Sequence, residues 1–330
     1  MTSKYYNVYI KETSLVTGKL EKEGPLGLYF DKSYDSFYVH KKSLELSEVE
    51  MQKDSINILL KKSKLKKEDI DLIIGGDLLN QITATCYGVS SYKIPFLGLF
   101  SACSVTSQSM IIASSMIELK SAKNVICTAS GHNLVAEKQF RNPVEYGAPR
   151  PKTSTFTSTG AASILLTNEK TNVKLTSSTI GEIVDLGQKD ANHMGAAMAP
   201  ACAETIYNHL KNTNTNASDY DLILSGDLGI YGKKILLDYM KNEYKLDLKD
   251  NYDDCGSMLY DLEKQKQITA GGSGPICSAL VNYGYIYDML KKKKIKRVLL
   301  IPTGALFSPT FAFQKQNILG IAHAVTWEAI

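Results

Sequence analysis

The sequence has no run of about 18 apolar residues, so no membrane-spanning helix is expected. Its start, Met1-Thr2-Ser3-Lys4-Tyr5-Tyr6-Asn7, lacks the apolar stretch of a secretion signal, and a soluble chain is expected. There is no CxxC pair. Cys86, Cys103, Cys127, Cys202, Cys255 and Cys277 stand far apart, which fits neither a zinc site nor a disulfide framework and suits a reducing compartment. No metal site is expected. Charge of one sign is scarce in excess: 38 Lys and Arg against 34 Asp and Glu leave a net charge of +4, too little for a nucleic-acid footprint. Proline is also sparse, with 9 residues, and no tract is of low complexity. What remains is a globular chain of 330 residues, 44% hydrophobic, long enough for one large core or two medium ones.

What is present is a repeat. Asp69-Ile70-Asp71-Leu72-Ile73-Ile74-Gly75-Gly76-Asp77-Leu78 returns, 150 residues later, as Asp219-Tyr220-Asp221-Leu222-Ile223-Leu224-Ser225-Gly226-Asp227-Leu228. Each copy reads as an acidic turn, a short apolar strand and a Gly-Asp loop. A second pair, Lys123–Gly131 and Lys296–Gly304, is offset by 173, so the second half carries extra residues, expected between Ile235 and Tyr260. Small-residue loops at Ser101-Ala102-Cys103-Ser104 and Gly271-Gly272-Ser273-Gly274 each open a helix, expected to about Lys120 and Lys293. Helical patterns also span Ser47–Lys62 and Pro200–Lys211. Strands alternating with helices of this length predict two duplicated α/β halves with mixed sheets, residues 1–168 and 169–330, facing each other about a pseudo-twofold axis. Ligand sites in such sheets lie beyond the strand carboxyl ends, where loops from both halves converge.

Those loops carry the chemistry. Cys103 follows the apolar strand Pro95–Phe100 and opens a helix, where free backbone N–H groups favour either a thiolate or a bound carboxylate. A small buried cysteine in a tight corner is the structural alternative. A nucleophilic cysteine needs a histidine. His132 follows a repeated strand and His193 lies in a polar turn before a helix. His323 reads as a satisfied strand residue, and His40 and His209 as surface residues. Residues 132–160 read as one long loop with Lys138, Arg141, Arg150 and Lys152 among aromatics and prolines; arginine forks suit planar carboxylates. Lys291-Lys292-Lys293-Lys294 reads as a solvated helix end.

Several motifs are recognisable together: Gly76-Asp77-Leu78-Leu79-Asn80-Gln81-Ile82, Phe96–Ser104, Arg141–Gly147, Met194–Pro200 and Ser225–Gly229. In this order they resemble the stage V sporulation protein AD family of spore-forming bacteria, from about Gly24 to the C-terminus. The resemblance implies a thiolase-like fold. It also implies binding of dipicolinic acid, pyridine-2,6-dicarboxylate, and a part in its uptake into the developing spore. Work beside membrane-embedded proteins of the same operon, at the periphery of the spore inner membrane, is implied as well, and superfamily analogy adds a homodimer. No cofactor is implied, though the ligand can arrive as calcium-dipicolinate.

Condensing enzymes of the thiolase superfamily carry a cysteine at the Cys103 position. They add a histidine, and a second histidine or an asparagine, from loops of the second half. Here those loops read Ser225-Gly226-Asp227-Leu228-Gly229 and Ala270-Gly271-Gly272-Ser273-Gly274-Pro275, without His or Asn. No catalytic residue is therefore assigned and a non-enzymatic role is expected. The candidate ligand-binding set is Cys103, Ser104, His132, Arg141, Arg150, His193, Gly272, Ser273 and Gly274, with Asp77, Asn80 and Asp227 on adjoining loops. The repeat pairs Asp77 with Asp227, which favours turn bracing over calcium contact. An acyl-CoA enzyme using Cys103, and a scaffold without its own ligand, are the competing readings.

Overall fold

A computed structural model describes residues 1–140, 150–248 and 250–330. Ten strands form the continuous path of its large sheet: β1 (Tyr9–Gly18), β2 (Leu72–Gly76), β3 (Phe96–Gly98), β4 (Asn124–Gly131), β5 (Gly160–Thr167), β6 (Val173–Ile180), β7 (Leu222–Ser225), β8 (Tyr252–Asp254), β9 (Arg297–Ile301) and β10 (Leu319–Ala329). They hydrogen-bond in the order β3-β2-β4-β5-β1-β6-β10-β9-β7-β8. Read from either end, the order names the same strands of each half. In the first half β2 runs parallel to β3 and β4, while β5 runs antiparallel to β4 and β1. The second half repeats this: β7 is parallel to β8 and β9, and β10 antiparallel to β9 and β6. The halves meet where Tyr9 of β1 pairs with Lys174 of β6.

The repeat extends to individual hydrogen bonds. Asp71 accepts from the backbone N–H groups of Lys123 and Asn124 at 2.7 and 2.9 Å. Asp221 does the same for Lys296 and Arg297 at 2.6 and 2.9 Å, so the acids fasten β4 to β2 and β9 to β7 in the same way. The offset is 150 at Leu72 and Leu222, 156 at Phe96 and Tyr252, and 170 at Val105 and Pro275. Most of the extra residues thus fall after Asp254, later than the sequence pattern placed them.

The main helices are α1 (Leu44–Ser63), α2 (Thr83–Val89), α3 (Val105–Glu118), α4 (Asn133–Phe140), α5 (Met194–Thr213), α6 (Gly229–Glu243) and α7 (Pro275–Leu280), the last continuing through a π-helical segment, Val281–Ile286, to Lys291. Their arrangement follows from strands that bury both faces, with alternate residues pointing to opposite sides. Ile73, Ile126 and Leu165 face outward onto Ile56 and Leu59 of α1. Ile223, Leu299 and Ile301 face outward onto Met198, Cys202 and Ile206 of α5. The alternate set turns inward: Val125, Cys127 and Ile164 from one half, and Val298, Leu300, Val325 and Trp327 from the other, share one cluster with Met110 and Ile117 of α3 and Ile276 and Leu280 of α7. The two central helices lie between the halves, and the loops that open them carry Cys103 and Gly274.

Three expectations change. The helix expected from Pro200 starts at Met194, because burial of Ala197, Met198 and Ala199 carries it upstream of the proline. The long loop after His132 begins instead as α4, with Val135, Ala136 and Glu137 buried. His209, read as a surface residue, is fully buried: Nδ1 lies 2.8 Å from the Thr179 hydroxyl of β6 and Nε2 lies 3.0 Å from that of Thr326 on β10. Threonines on the sheet satisfy both ring nitrogens, which the helix periodicity alone does not reveal. His323 is a satisfied strand residue, accepting from the Gly181 N–H at 3.2 Å, and the lysine run ends a helix where Lys292 pairs with Asp288 at 2.7 Å.

Candidate functional site

Carboxyl ends of β2, β4, β7 and β9 and the openings of α3 and α7 converge on one point, and Asp227 is at its centre. Its Oδ1 accepts from the Thr303 hydroxyl at 2.6 Å. Its Oδ2 accepts from the Ser273 hydroxyl at 3.2 Å and the Gly274 N–H at 3.0 Å. The Cys103 thiol also donates to this carboxyl. Four donors fill the lone-pair sites of one carboxylate. Burial pushes the Asp227 carboxyl above its ordinary value, and these hydrogen bonds pull against that rise. Gly274 can aim its N–H at Asp227 because φ is +91°, and Gly226 lets the loop pass Thr303, whose amide nitrogen a Cβ there would meet at 2.8 Å.

A second buried carboxyl braces the first. Asp254 accepts from the Ser225 hydroxyl at 2.7 Å, the Leu228 and Gly229 N–H groups at 2.9 and 2.8 Å, and the Ser257 N–H at 3.2 Å. It clasps the loop that carries Asp227 from both ends. Burial, with the neighbouring Asp227 charge as a smaller cause, pushes it up to about 7. On the other side, Gly272–Ser273 pairs in parallel with Phe156–Thr157. That pair is anchored by buried Glu21, which accepts from the Thr159 N–H at 2.9 Å and from the Tyr260 hydroxyl.

Above this floor lies a cavity of about 240 Å³. Cys103, Ser273 and Thr157 are the polar residues that line it, and Phe100, Phe140, Phe307, Met194 and Met198 are among its apolar lining. Among the described residues, no histidine and no cationic side chain lines it. Cys103 is 9% exposed, in a tight turn where Ala102 takes a left-handed φ of +47°.

Of the residues singled out in the sequence, Cys103 and Ser273 face the cavity, Gly272 and Gly274 flank Ser273, and Asp227 ties them together. The Ser104 hydroxyl donates instead to the Ser101 carbonyl at 2.8 Å. Asp77 works locally, accepting from the Leu79 N–H at 2.8 Å and from the Thr85 N–H and hydroxyl, both at 2.7 Å. Asn80 lines a separate groove of about 440 Å³, with Tyr87 and Lys138. His132 turns away, its Nε2 2.9 Å from the Phe37 carbonyl, and burial lowers its ordinary value. His193 precedes α5, edge-on to Tyr231. Arg150 reaches Glu137 at 3.6 Å and stands 5.4 Å from the Phe156 ring. Arg141 lies outside the described residues. Sequence reasoning passed over Thr303 and Asp254. The repeat did hold a signal for Thr303, which aligns with Ser130 at offset 173; Asp254 aligns with Gly98 at offset 156, and a glycine there gives no hint of a carboxyl.

Two α/β halves with central helices and a cysteine at their junction define a thiolase-fold protein. The 3-oxoacyl-[acyl-carrier-protein] synthase III of Aquifex aeolicus superimposes with a TM-score of 0.59 over 97% of this chain and 99% of its own, at 13% identity. Human mitochondrial 3-ketoacyl-CoA thiolase in complex with CoA gives 0.59 over 98% of each chain, at 11% identity. Likeness at this identity concerns the fold. The chain belongs to the stage V sporulation protein AD (SpoVAD) family, whose profile matches residues 3–328. The stage V sporulation protein AD of Bacillus subtilis strain 168 is 42% identical over 322 residues, 97% of this chain and 94% of that protein. Among the described residues, no helix is long and apolar enough to cross a membrane.

Proposed function

We propose that the cavity above Cys103 binds dipicolinic acid and that the chain serves dipicolinate uptake into the developing spore without catalysing a reaction. Family membership supports the sporulation role, and the saturated Asp227 supports the absence of catalysis. A condensing enzyme needs a neutral base that takes up and returns a proton. Asp227 stands at the loop where such enzymes keep a histidine, and all its acceptor capacity goes to Cys103, Ser273, Gly274 and Thr303.

The same geometry favours the calcium chelate over the free dianion. Burying a bare dianion beside an aspartate and apolar walls is costly without a cation. The one-to-one calcium-dipicolinate chelate is neutral, flat and suited to phenylalanine and methionine walls, with the Thr157 hydroxyl left for its carboxylates. In this reading the protein works as a homodimer at the periphery of the spore inner membrane, held there by membrane-embedded proteins of its operon.

Calorimetric titration with dipicolinate, with and without calcium and with benzoate as control, tests the reading. Saturable binding strengthened by calcium is expected, and Cys103→Ala should weaken it while Arg150→Ala, off the cavity wall, should not. Unchanged binding in Cys103→Ala would remove the site from this cavity, and no heat in any condition would leave only the scaffold role.

One observation favours a second reading: a thiol at the floor of a mostly apolar cavity also suits an acyl thioester. Intact-mass measurement after incubation with acyl-CoA separates the two, and no acyl adduct on Cys103 is expected.

A further inference from the structure

We propose that Phe140 and Phe307 form an aromatic gate that closes the cavity and selects a flat ring over a flexible chain of the same charge. The proposal rests on the ligand reading above for its substrate class, and on geometry for the gate itself. Phe140 ends α4 in the first half. Phe307 follows the strand Thr303–Leu306 in the second. Both rings line the cavity, and they meet edge-to-face with centroids 6.4 Å apart at 62°. Neither is fully buried, and their contact joins the two halves across the cavity wall.

The two sides of the gate differ in freedom. Phe140 is set by its helix, which the Gln139 side chain clamps to the loop after β2: its amide nitrogen donates to the Leu78 carbonyl at 2.8 Å and its oxygen accepts from the Asn80 N–H at 3.2 Å. Phe307 stands between two cavities of about 240 Å³ each, the Cys103 cavity on one side and a space bounded by Phe311, Ile318 and Leu319 on the other. A ring there has open space on both sides, so a rotamer change moves it from one cavity towards the other. Phe307 is therefore the moving leaf and Phe140 the fixed one.

Selectivity follows from what replaces the contact when the gate opens. An entering pyridine ring restores edge or face contacts with both phenylalanines, and such pairs add attraction beyond the area they bury. A flexible aliphatic dicarboxylate restores neither and also loses rotamer freedom.

Wild type, Phe140→Leu, Phe307→Leu and the double variant are titrated with dipicolinate and with glutarate, both in calcium. The double variant should bind dipicolinate about tenfold more weakly, with glutarate unchanged. Equal losses for both ligands, or no loss at an unchanged melting temperature, overturns the selectivity. A ligand-independent arm reads the gate alone. In a Cys86→Ser background, which removes the exposed thiol, iodoacetamide should alkylate Cys103 several-fold faster once Phe307→Ala is added. Equal rates overturn the gate. A faster rate in a protein whose wild type ignores dipicolinate keeps the gate and rejects the ligand.

Discussion

Asp77 and Asp227 occupy the same place in a repeat and do different work. Asp77 binds donors within eight residues of itself. Asp227 binds Ser273, Gly274 and Thr303, which are 46, 47 and 76 residues away. Removing one oxygen from Asp227 leaves buried donors unpaired, at about 1–3 kcal/mol for each. Asp227→Asn is therefore expected to lose about 3 kcal/mol in urea unfolding and to speed alkylation of Cys103 as the floor loosens. An unchanged unfolding midpoint would mean the carboxyl does not hold these loops together. Both aspartates were legible in the sequence as a pair, and the bracing expected of the pair describes Asp77 well. What Asp227 braces was not legible, because its partners are set by chain crossing and not by spacing.

At the scale of elements, His209 shows how α5 is fastened. Its ring joins Thr179 of β6 and Thr326 of β10, so one side chain clamps the helix to two strands. Burial lowers His209 to about 4, and His323 on β10 likewise. Histidine in the unfolded chain titrates near 6.5. The unfolded state therefore binds more protons between pH 6.5 and 4. The stability these residues contribute is present above 6.5 and is lost as pH falls towards 4, at about 2–3 kcal/mol for each. The buried carboxyl of Asp254, pushed up to about 7, works the other way over the same range, so the comparison is between variants: in urea unfolding at pH 7, 5.5 and 4.5, His209→Gln should lose less stability than wild type as pH falls. Parallel wild-type and His209→Gln curves would contradict the buried neutral state. The helix itself was legible from its apolar spacing, but the polar residue on its buried face was not, since a histidine at that position is satisfied only by threonines from other strands.

Over the whole molecule, the halves share their core. Residues of β4 and β5 and of β9 and β10 belong to one apolar cluster with α3 and α7, and the strands hydrogen-bond from β3 to β8 without a break. Neither half can open without stripping the central helices of one wall. Calorimetry is expected to give a single transition with matching calorimetric and van 't Hoff enthalpies; two separated transitions would show that the halves are independent. The sequence by itself determined the duplication, the α/β alternation, the strand-end loops and the absence of histidine from two of them, because these are local patterns repeated along the chain. Only the tertiary structure decided that Asp227 saturates itself on Cys103 and three other groups, that His132, His193 and Arg150 lie off the cavity wall, and that phenylalanines from opposite halves meet in that wall. Those outcomes depend on which loops the two halves bring within hydrogen-bond or ring contact, and periodicity within one segment carries no record of its distant partners.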